Sequence, residues 1–172
     1  PSNYMKQIRK VIDNDSIVDE VRQHQREAYH GYFAENNPDI MEGALSLLEA
    51  LRKMDVKIAL ATSTRKESAT RSLNKVGLFE KFDYLVFGDM VSNSKPNPEI
   101  YNKVIEDLGI LKKDAVILED SYHGIKAANN AEIDVIWVKD FIDHSDKKDI
   151  HYSRMFDSLA EAHQYVVDLV QK

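Results

Sequence analysis

Apolar and polar positions along the chain follow two different periods. In residues 44–54 apolar side chains recur every three or four residues, whereas residues 56–61 form a short, nearly continuous apolar run. The first period is typical of an amphipathic helix and the second of a buried strand. The alternation continues, with helices predicted at 66–76, 98–108, 125–131 and 158–170 and strands at 84–87, 115–118 and 135–138. Because largely apolar strands are typical of parallel sheets covered on both faces, we predict an α/β fold, an open sheet wound by crossover helices.

The first part of the chain has a different pattern. Residues 1–36 are polar, with apolar side chains at helical spacing and no strand-like alternation, which predicts two helices. Turn-forming residues at 36–39 then mark a boundary. We therefore expect a helical appendage at 1–37 and an α/β core at 38–172.

Composition narrows the class of protein. The 172 residues are 43% hydrophobic, which is enough to bury a core, and the sequence contains no cysteine for disulfides or cysteine-type zinc sites. The absence of cysteine fits a reducing, cytoplasmic setting. No apolar run approaches the roughly 18 residues of a membrane span, so we expect no membrane partner. A net charge of −6 without a basic cluster argues against nucleic-acid binding, whereas a small anionic substrate remains compatible.

Polar residues follow the predicted strand at 56–61. Thr62, Ser63 and Thr64 come at the carboxyl end of this strand, immediately before a predicted helix. Ligands of open α/β sheets bind at such strand ends, and hydroxyls together with free amides at a helix N-terminus favour phosphate. The alternative is a simple capping box, in which Thr64 and Glu67 cap the helix.

A lysine lies in a stiff turn before the predicted helix 98–108. Lys95 is followed by Pro96, and Pro98 fixes the backbone after the next residue. A lysine held in this way suits a point-charge contact to phosphate or to a carboxylate. The alternative is an exposed lysine beside a helix start.

Two adjacent carboxylates end the strand predicted at 115–118. Glu119 and Asp120 place negative charge where a hydrophobic sheet disfavours it, and a hard cation such as Mg²⁺ would compensate that charge. The alternative is that Asp120 or Ser121 caps the next helix while Glu119 pairs with a lysine. Each strand end is a weak signal alone, but the three occur in order, separated by whole helix–strand units.

Together these residues resemble the motifs of the haloacid dehalogenase superfamily, in particular its β-phosphoglucomutase-like phosphatases and mutases. Residues 58–64 resemble the second motif, with Thr62 as its hydroxyl, and Lys95 resembles the lysine of the third. Glu119 and Asp120 resemble the acids of the fourth motif, which implies that both hold Mg²⁺. The resemblance covers 38–172 and implies a Rossmann-like core, while 1–37 resembles the second half of a helical cap.

The chain departs from the family pattern in two places. The family usually has Ala-Gly where this chain has Ala131-Glu132, which we expect to alter only a turn. The first motif, a hydrophobic strand followed by Asp-x-Asp, is absent, since Asp13-Asn14-Asp15 follows a helical segment instead. The family places that strand between those ending at Thr62 and Glu119. We therefore expect the natural protein to begin several tens of residues earlier, and the 172-residue chain alone to be inactive.

The resemblance implies an Mg²⁺-dependent phosphatase acting on small phosphate monoesters, such as sugar phosphates, through an aspartyl-phosphate. The attacking aspartate would lie in the missing segment, and the substrate phosphate would contact Thr62, Ser63, Thr64 and Lys95. The partner is then a small phosphorylated metabolite, and we expect a monomer or weak dimer. The alternatives are a β-phosphoglucomutase-like phosphohexomutase and a non-catalytic phosphate-binding module.

Arg65 and Lys66 lie one step beyond the second motif. In mutases of this type such positions can face the non-transferring end of the substrate, so both residues are possible substrate contacts. The interpretation that we favour is that they are solvated residues of the first helical turn.

Overall fold

The structure is a computed structural model that describes residues 38–139 and 147–171, together with Ile17, Glu20, Gln23 and His24. These four residues are helical, and the rest of the two helices predicted in 1–36 lies outside the described residues. The chain divides into two compact units, Pro1–Pro38 and Asp39–Lys172. That the first unit is part of a cap stays a prediction.

Helices and strands alternate in the described part of the second unit. The helices are α1 (Ala44–Leu51), α2 (Lys66–Lys75), α3 (Glu99–Leu108), α4 (Tyr122–Ala131) and α5 (Leu159–Val170). The strands are β1 (Ala59–Ala61), β2 (Tyr84–Val86), β3 (Val116–Glu119), β4 (Asp134–Val138) and β5 (Arg154–Phe156). Short 3₁₀ turns occupy Phe79–Lys81 and Lys112–Asp114. Every strand pair is parallel, which confirms the predicted α/β class. No helix of this described part is long and apolar enough to span a membrane.

The strands form two separate ladders. β1 pairs with β2, with Ala61 opposite Val86, and β4 lies between β3 and β5, with Trp137 opposite Glu119. β1 and β3 therefore belong to different sheets, although both end in residues singled out by the sequence. All these strands are parallel to their partners, so the carboxyl ends within each sheet lie at one edge.

β4 carries the core of the larger sheet. Its side chains alternate between two hydrophobic clusters: Val135 and Trp137 pack with residues of α3 and α4, while Ile136 and Val138 pack with residues of α1 and α5. All four are buried. Helices thus cover both faces of the strand, as the continuous apolar run predicted.

Two strands differ from their predicted extent. Only Ala59–Ala61 of the predicted strand 56–61 pairs in a ladder, because the Ile58 amide donates to the Asp83 carboxylate at 2.8 Å instead. β5 was not predicted at all. Its residues Arg154 and Met155 are exposed, so the segment carries too weak an apolar signal to identify from sequence.

Two helix ends are set by local chemistry. α4 begins at Tyr122, earlier than predicted, because the Ser121 hydroxyl accepts a hydrogen bond from the Gly124 amide at 3.0 Å. The same helix ends at Glu132 in the left-handed conformation, with φ of 58°. A non-glycine residue seldom adopts that backbone, so Glu132 occupies a position that favours glycine.

Candidate active site

The carboxyl ends of β1 and β3 border one cavity of about 460 Å³. Its polar side is lined by Thr62, Ser63, Lys95, Glu119, Asp120 and Ser121. Three chain segments far apart in sequence thus meet at one place. Thr64, Arg65 and Lys66 are not among the residues that line it.

The rest of the cavity is apolar. Leu60 of β1 and Leu118 of β3 line it from the two sheets, together with Val138 of β4. Ala61, Met41 and Leu159 complete this apolar lining. The cavity therefore lies against both ladders and combines a hydrophobic wall with a charged end.

The turn after β1 is held by the turn after β2. The Thr62 amide donates to the Val86 carbonyl at 3.0 Å, and the Gly88 amide donates to the Thr64 carbonyl at 2.9 Å. A Cβ atom on Gly88 would lie 2.1 Å from the Ser63 carbonyl oxygen, so only glycine permits this approach. The Thr62 hydroxyl accepts from the Thr64 amide at 3.1 Å, which leaves its own hydrogen available to donate.

The N-terminus of α2 is occupied by an acidic side chain. The Lys66 amide donates to the Asp89 carboxylate at 2.9 Å, and Arg65, the capping position, makes no side-chain capping bond. The capping box between Thr64 and Glu67 is therefore not formed. A phosphate in the cavity would rely on Thr62 and Ser63 rather than on this amide, while Arg65 and Lys66 are exposed.

Lys95 is held from several sides. Its side chain is only 10% exposed and pairs with Glu119, which is 8% exposed. The ammonium also donates to the Ala61 carbonyl at 3.3 Å and lies 4.8 Å from the centre of the Tyr101 ring. The Asn130 amide donates to the Pro96 carbonyl at 2.8 Å, which ties the lysine turn to α4. The lysine therefore points into the cavity from a fixed support.

Glu119 uses both carboxylate oxygens. Oε1 accepts from Lys95 and from the Tyr101 hydroxyl, the latter at 2.9 Å. Oε2 accepts from the amides of Asp120 and Ser121, each at 2.9 Å, and from the Ser121 hydroxyl at 3.0 Å. A Cβ on Gly124 would lie 2.0 Å from this carboxylate, so α4 approaches it closely. About four lone-pair positions are available on a carboxylate, and these five contacts use them.

The electrostatics of this cluster follow from its burial. Burial by itself raises the pKa of Glu119, but the Lys95 charge and the surrounding donors outweigh it and lower the pKa to about 2. Burial, followed by the charge of Glu119, raises the pKa of Tyr101, so its hydroxyl stays protonated and donates. Glu119 is therefore an anion whose charge is stabilised by Lys95 and by the hydrogen-bond donors around it.

A model of the haloacid dehalogenase-like hydrolase family matches residues 2–138. The chain belongs to this family. The predicted resemblance to that superfamily is thereby confirmed.

Two curated relatives of the chain have names that describe an action on phosphate compounds. The chain is 42% identical over 101 residues to the phosphorylated carbohydrates phosphatase of Thermotoga maritima, covering 59% of this chain and 45% of that protein. It is 30% identical over 122 residues to the pyrophosphatase PpaX of Listeria monocytogenes, covering 69% of this chain and 54% of the relative. The chain thus spans about half the length of the curated relatives that it matches.

Solved structures show the same fold. CbbY from Rhodobacter sphaeroides, in complex with phosphate, superposes with a TM-score of 0.73 at 27% identity, over 84% of this chain and 65% of that one. A Thermotoga maritima protein provisionally described as a β-phosphoglucomutase superposes with a TM-score of 0.76 at 29% identity, over 88% and 70%. The predicted likeness to the β-phosphoglucomutase branch is confirmed at the level of fold.

The family implies an Mg²⁺ ion, and Asp120 and Glu119 differ in how well each is suited to be its ligand. Mg²⁺ in phosphate sites uses one or two carboxylates, with waters and substrate oxygens completing its shell. Asp120 lines the cavity and fits as such a ligand. Glu119 would have to give up existing hydrogen bonds to become one. Within the described residues there is no group of three or more acids, histidines or cysteines that could hold a metal ion.

Tyr101 is the site residue that sequence reasoning missed. It is 5% exposed and belongs to a hydrophobic cluster around β4. Its position in the sequence therefore indicates only a core residue of an amphipathic helix. Its hydroxyl alone distinguishes it from a phenylalanine. The one available signal was its position six residues after Lys95, in the first turn of the predicted helix 98–108.

Proposed function

We propose that this protein is an Mg²⁺-dependent phosphatase that acts on small phosphate monoesters such as sugar phosphates. The observation that carries the proposal is the meeting of Thr62, Lys95 and Asp120 at one cavity beyond the ends of parallel strands. The named activity of the Thermotoga maritima relative, a phosphatase of phosphorylated carbohydrates, supports the same substrate class.

Lys95 is suited to bind the transferring phosphoryl group. An ammonium has three donors, and two of them reach Glu119 and the Ala61 carbonyl. The third donor is left for a phosphate oxygen. Because Lys95 is pre-positioned in a largely buried site, its charge stabilises the developing negative charge without reorganisation during the reaction.

Thr62 and Ser63 supply neutral donors. The Thr62 hydroxyl accepts from the Thr64 amide and can donate its hydrogen to a phosphate oxygen. Ser63 lines the same cavity and is exposed. Thr64 lies outside the lining, so we place it in the turn that orients Thr62 rather than on the substrate. The possible contact of Arg65 and Lys66 with the far end of the substrate stays a prediction, and neither residue lines the cavity.

Within the described residues, the carboxylates that line the cavity are Glu119 and Asp120, to which we give other roles. We propose an aspartate on a further strand that fills the apolar gap between β1 and β3. One carboxylate oxygen would attack phosphorus, and the bond to the substrate's ester oxygen would break. Water then cleaves the aspartyl-phosphate to inorganic phosphate and restores the carboxylate.

Mg²⁺, when bound, supplies further neutralisation of the phosphoryl oxygens. Asp120 is the described residue that would hold it. Glu119 was predicted to be a second ligand, but its carboxylate is already engaged by Lys95, Tyr101 and the amides of the following turn. That role stays a prediction.

A phosphohexomutase is the second candidate. Its support is the 29% identity with the Thermotoga maritima protein provisionally described as a β-phosphoglucomutase. The two activities differ in what leaves the site: a phosphatase releases one inorganic phosphate for each substrate consumed, whereas a mutase releases almost none.

The test is a phosphate-release assay on the full-length protein with Mg²⁺ and a panel of sugar phosphates. Stoichiometric release supports the phosphatase, and isomerisation without release supports the mutase. Asp120→Asn should abolish most Mg²⁺-dependent turnover, while Asp114→Asn, an exposed control in the turn before β3, should not. Phosphate binding without any turnover would contradict both and favour the non-catalytic module.

A further inference from the structure

Tyr101 connects the core of the protein to its candidate phosphate site. The residue is 5% exposed, and its hydroxyl donates to Glu119 Oε1 at 2.9 Å. The face of its ring lies 4.8 Å from the Lys95 ammonium. One buried side chain thus contacts both members of the ion pair, by a hydrogen bond on one and by a cation–π contact on the other.

A buried ion pair needs such supporting contacts. Removing two charges from water costs free energy, and their attraction repays it only when further hydrogen bonds hold the geometry. Lys95 and Glu119 are 10% and 8% exposed. The amides after β3 hold one oxygen of Glu119, but the oxygen that faces Lys95 is held by Tyr101 alone.

Local hydrogen bonds connect the chain before Lys95 with the start of α3, where Tyr101 lies. The Glu99 carboxylate accepts from the amides of Ser92 and Asn93, at 2.6 and 2.8 Å. The Tyr101 amide donates to the Pro98 carbonyl at 3.0 Å, in the first turn of α3. The backbone on both sides of the lysine turn is therefore tied to the first turn of α3, which carries Tyr101.

We propose that Tyr101 and Glu119 together are positioning residues for Lys95, and that Glu119 acts through the lysine rather than as a magnesium ligand. This inference rests on the proposed phosphatase function. Tyr101 is not a catalytic residue, because its hydroxyl is directed at Glu119 and it is absent from the cavity lining. Its effect on the reaction is the direction of the third Lys95 donor.

The first test removes only the hydroxyl. Tyr101→Phe in the full-length protein should lower kcat for p-nitrophenyl phosphate about tenfold, the effect of losing one hydrogen bond to a charged group. It should weaken binding of inorganic phosphate, measured by calorimetry, in the same direction. The matched control is Tyr84→Phe, which removes another tyrosine–carboxylate hydrogen bond, that to Asp107, at an exposed place. The control should change neither quantity.

The second test separates the two acids. Asp120→Asn should weaken Mg²⁺ binding by about tenfold or more, since outer contacts alone are worth that much. Glu119→Gln should leave the Mg²⁺ affinity within about twofold while weakening phosphate binding, as Tyr101→Phe does. Adding Tyr101→Phe to Glu119→Gln should have little further effect on phosphate affinity, because both act on one contact.

The outcomes are distinct. If unmodified protein turns over no phosphate monoester, the proposed function fails, but phosphate and Mg²⁺ binding still decide the role of Tyr101. If Tyr101→Phe matches Tyr84→Phe in phosphate affinity, the positioning role is wrong. If Glu119→Gln loses Mg²⁺ affinity as Asp120→Asn does, Glu119 is a metal ligand and the inference is overturned.

Discussion

The two sheets that border the cavity are stabilised in different ways. In the larger sheet, β4 is buried on both faces, with Trp137 and Ile136 fully inaccessible to solvent. In the smaller sheet, all three residues of β1 are only half-buried. In this sheet Val86 of β2 is fully buried. Polar contacts hold its two ends: the Asp83 carboxylate accepts from the Ile58 amide at one end, and the Thr62–Val86 and Gly88–Thr64 backbone hydrogen bonds lie at the other.

The two sheets contribute different kinds of side chain to the candidate site. The larger sheet presents Glu119 and Asp120 from a rigid core, which suits groups that must hold charge in place. The smaller sheet presents Thr62 and Ser63 from a turn fixed by a few hydrogen bonds. We therefore expect the larger sheet to respond to loss of apolar volume and the smaller one to loss of individual polar or close contacts.

The largest expected effect tests the core of the larger sheet. Trp137→Ala should lower the free energy of unfolding by about 3–5 kcal/mol, since the side chain is completely buried. Leu60→Ala in β1 should cost clearly less, because that side chain borders the cavity and is half-buried. Urea unfolding measures both. Equal losses of unfolding free energy in the two variants would mean that apolar burial stabilises the two sheets to the same extent.

The next effect concerns the close approach of the two turns. Gly88→Ala should destabilise by about 1–3 kcal/mol, because its Cβ would meet the Ser63 carbonyl at 2.1 Å and force that turn to move. Turnover should fall at the same time, since Ser63 and Thr62 would be displaced from the cavity. Stability lost with turnover retained would mean that the Thr62–Ser63 turn does not contact substrate.

A smaller effect concerns the other end of the smaller sheet and depends on pH. Hydrogen bonding from the Ile58 amide, then Arg52, lowers the pKa of Asp83 below its ordinary 3.8. A lowered pKa adds stability above the unfolded value and loses it as pH falls through the folded one. Asp83→Asn should therefore cost about 1 kcal/mol at neutral pH.

As pH falls from about 4 through the lowered pKa of folded Asp83, the unmodified protein should approach Asp83→Asn in stability, because Asp83 then becomes protonated in the folded state as well. Urea midpoints measured from neutral pH down to about pH 2.5 would check the convergence. A constant difference across that range would mean that the charge of Asp83 contributes nothing to β1–β2.

The smallest effect lies in the larger sheet, at the turn between α4 and β4. Glu132→Gly should raise the free energy of unfolding by about 0.5–1 kcal/mol, because glycine removes the cost of a left-handed residue but adds unfolded-state entropy. Glu132→Ala is the matched control, since it shortens the side chain without freeing the backbone. Stabilisation by both variants would indicate a side-chain effect instead.

The order and class of the elements could be predicted from sequence, because apolar period is a local property that burial on two faces directly demands. The strand 135–138 was predicted within one residue, since all of its side chains meet the core. β5 could not be predicted, because Arg154 and Met155 lie exposed on a short outer strand. The start of β1 was predicted too early for another reason: the carboxylate of Asp83, 25 residues away, accepts a hydrogen bond from the Ile58 amide.

The candidate site divides in the same way. The meeting of Thr62, Lys95 and Glu119 was predicted from the sequence, because the ligand groups of α/β folds gather beyond the carboxyl ends of parallel strands. The sequence did not show that the strands ending at Thr62 and Glu119 lie in separate sheets. Which groups these side chains contact was decided only by the tertiary structure. The Asp89 carboxylate accepts from the first amide of α2, and the Tyr101 hydroxyl donates to Glu119. Both contacts join residues far apart in sequence, are set by side-chain direction and packing, and are not encoded by any periodicity in the chain.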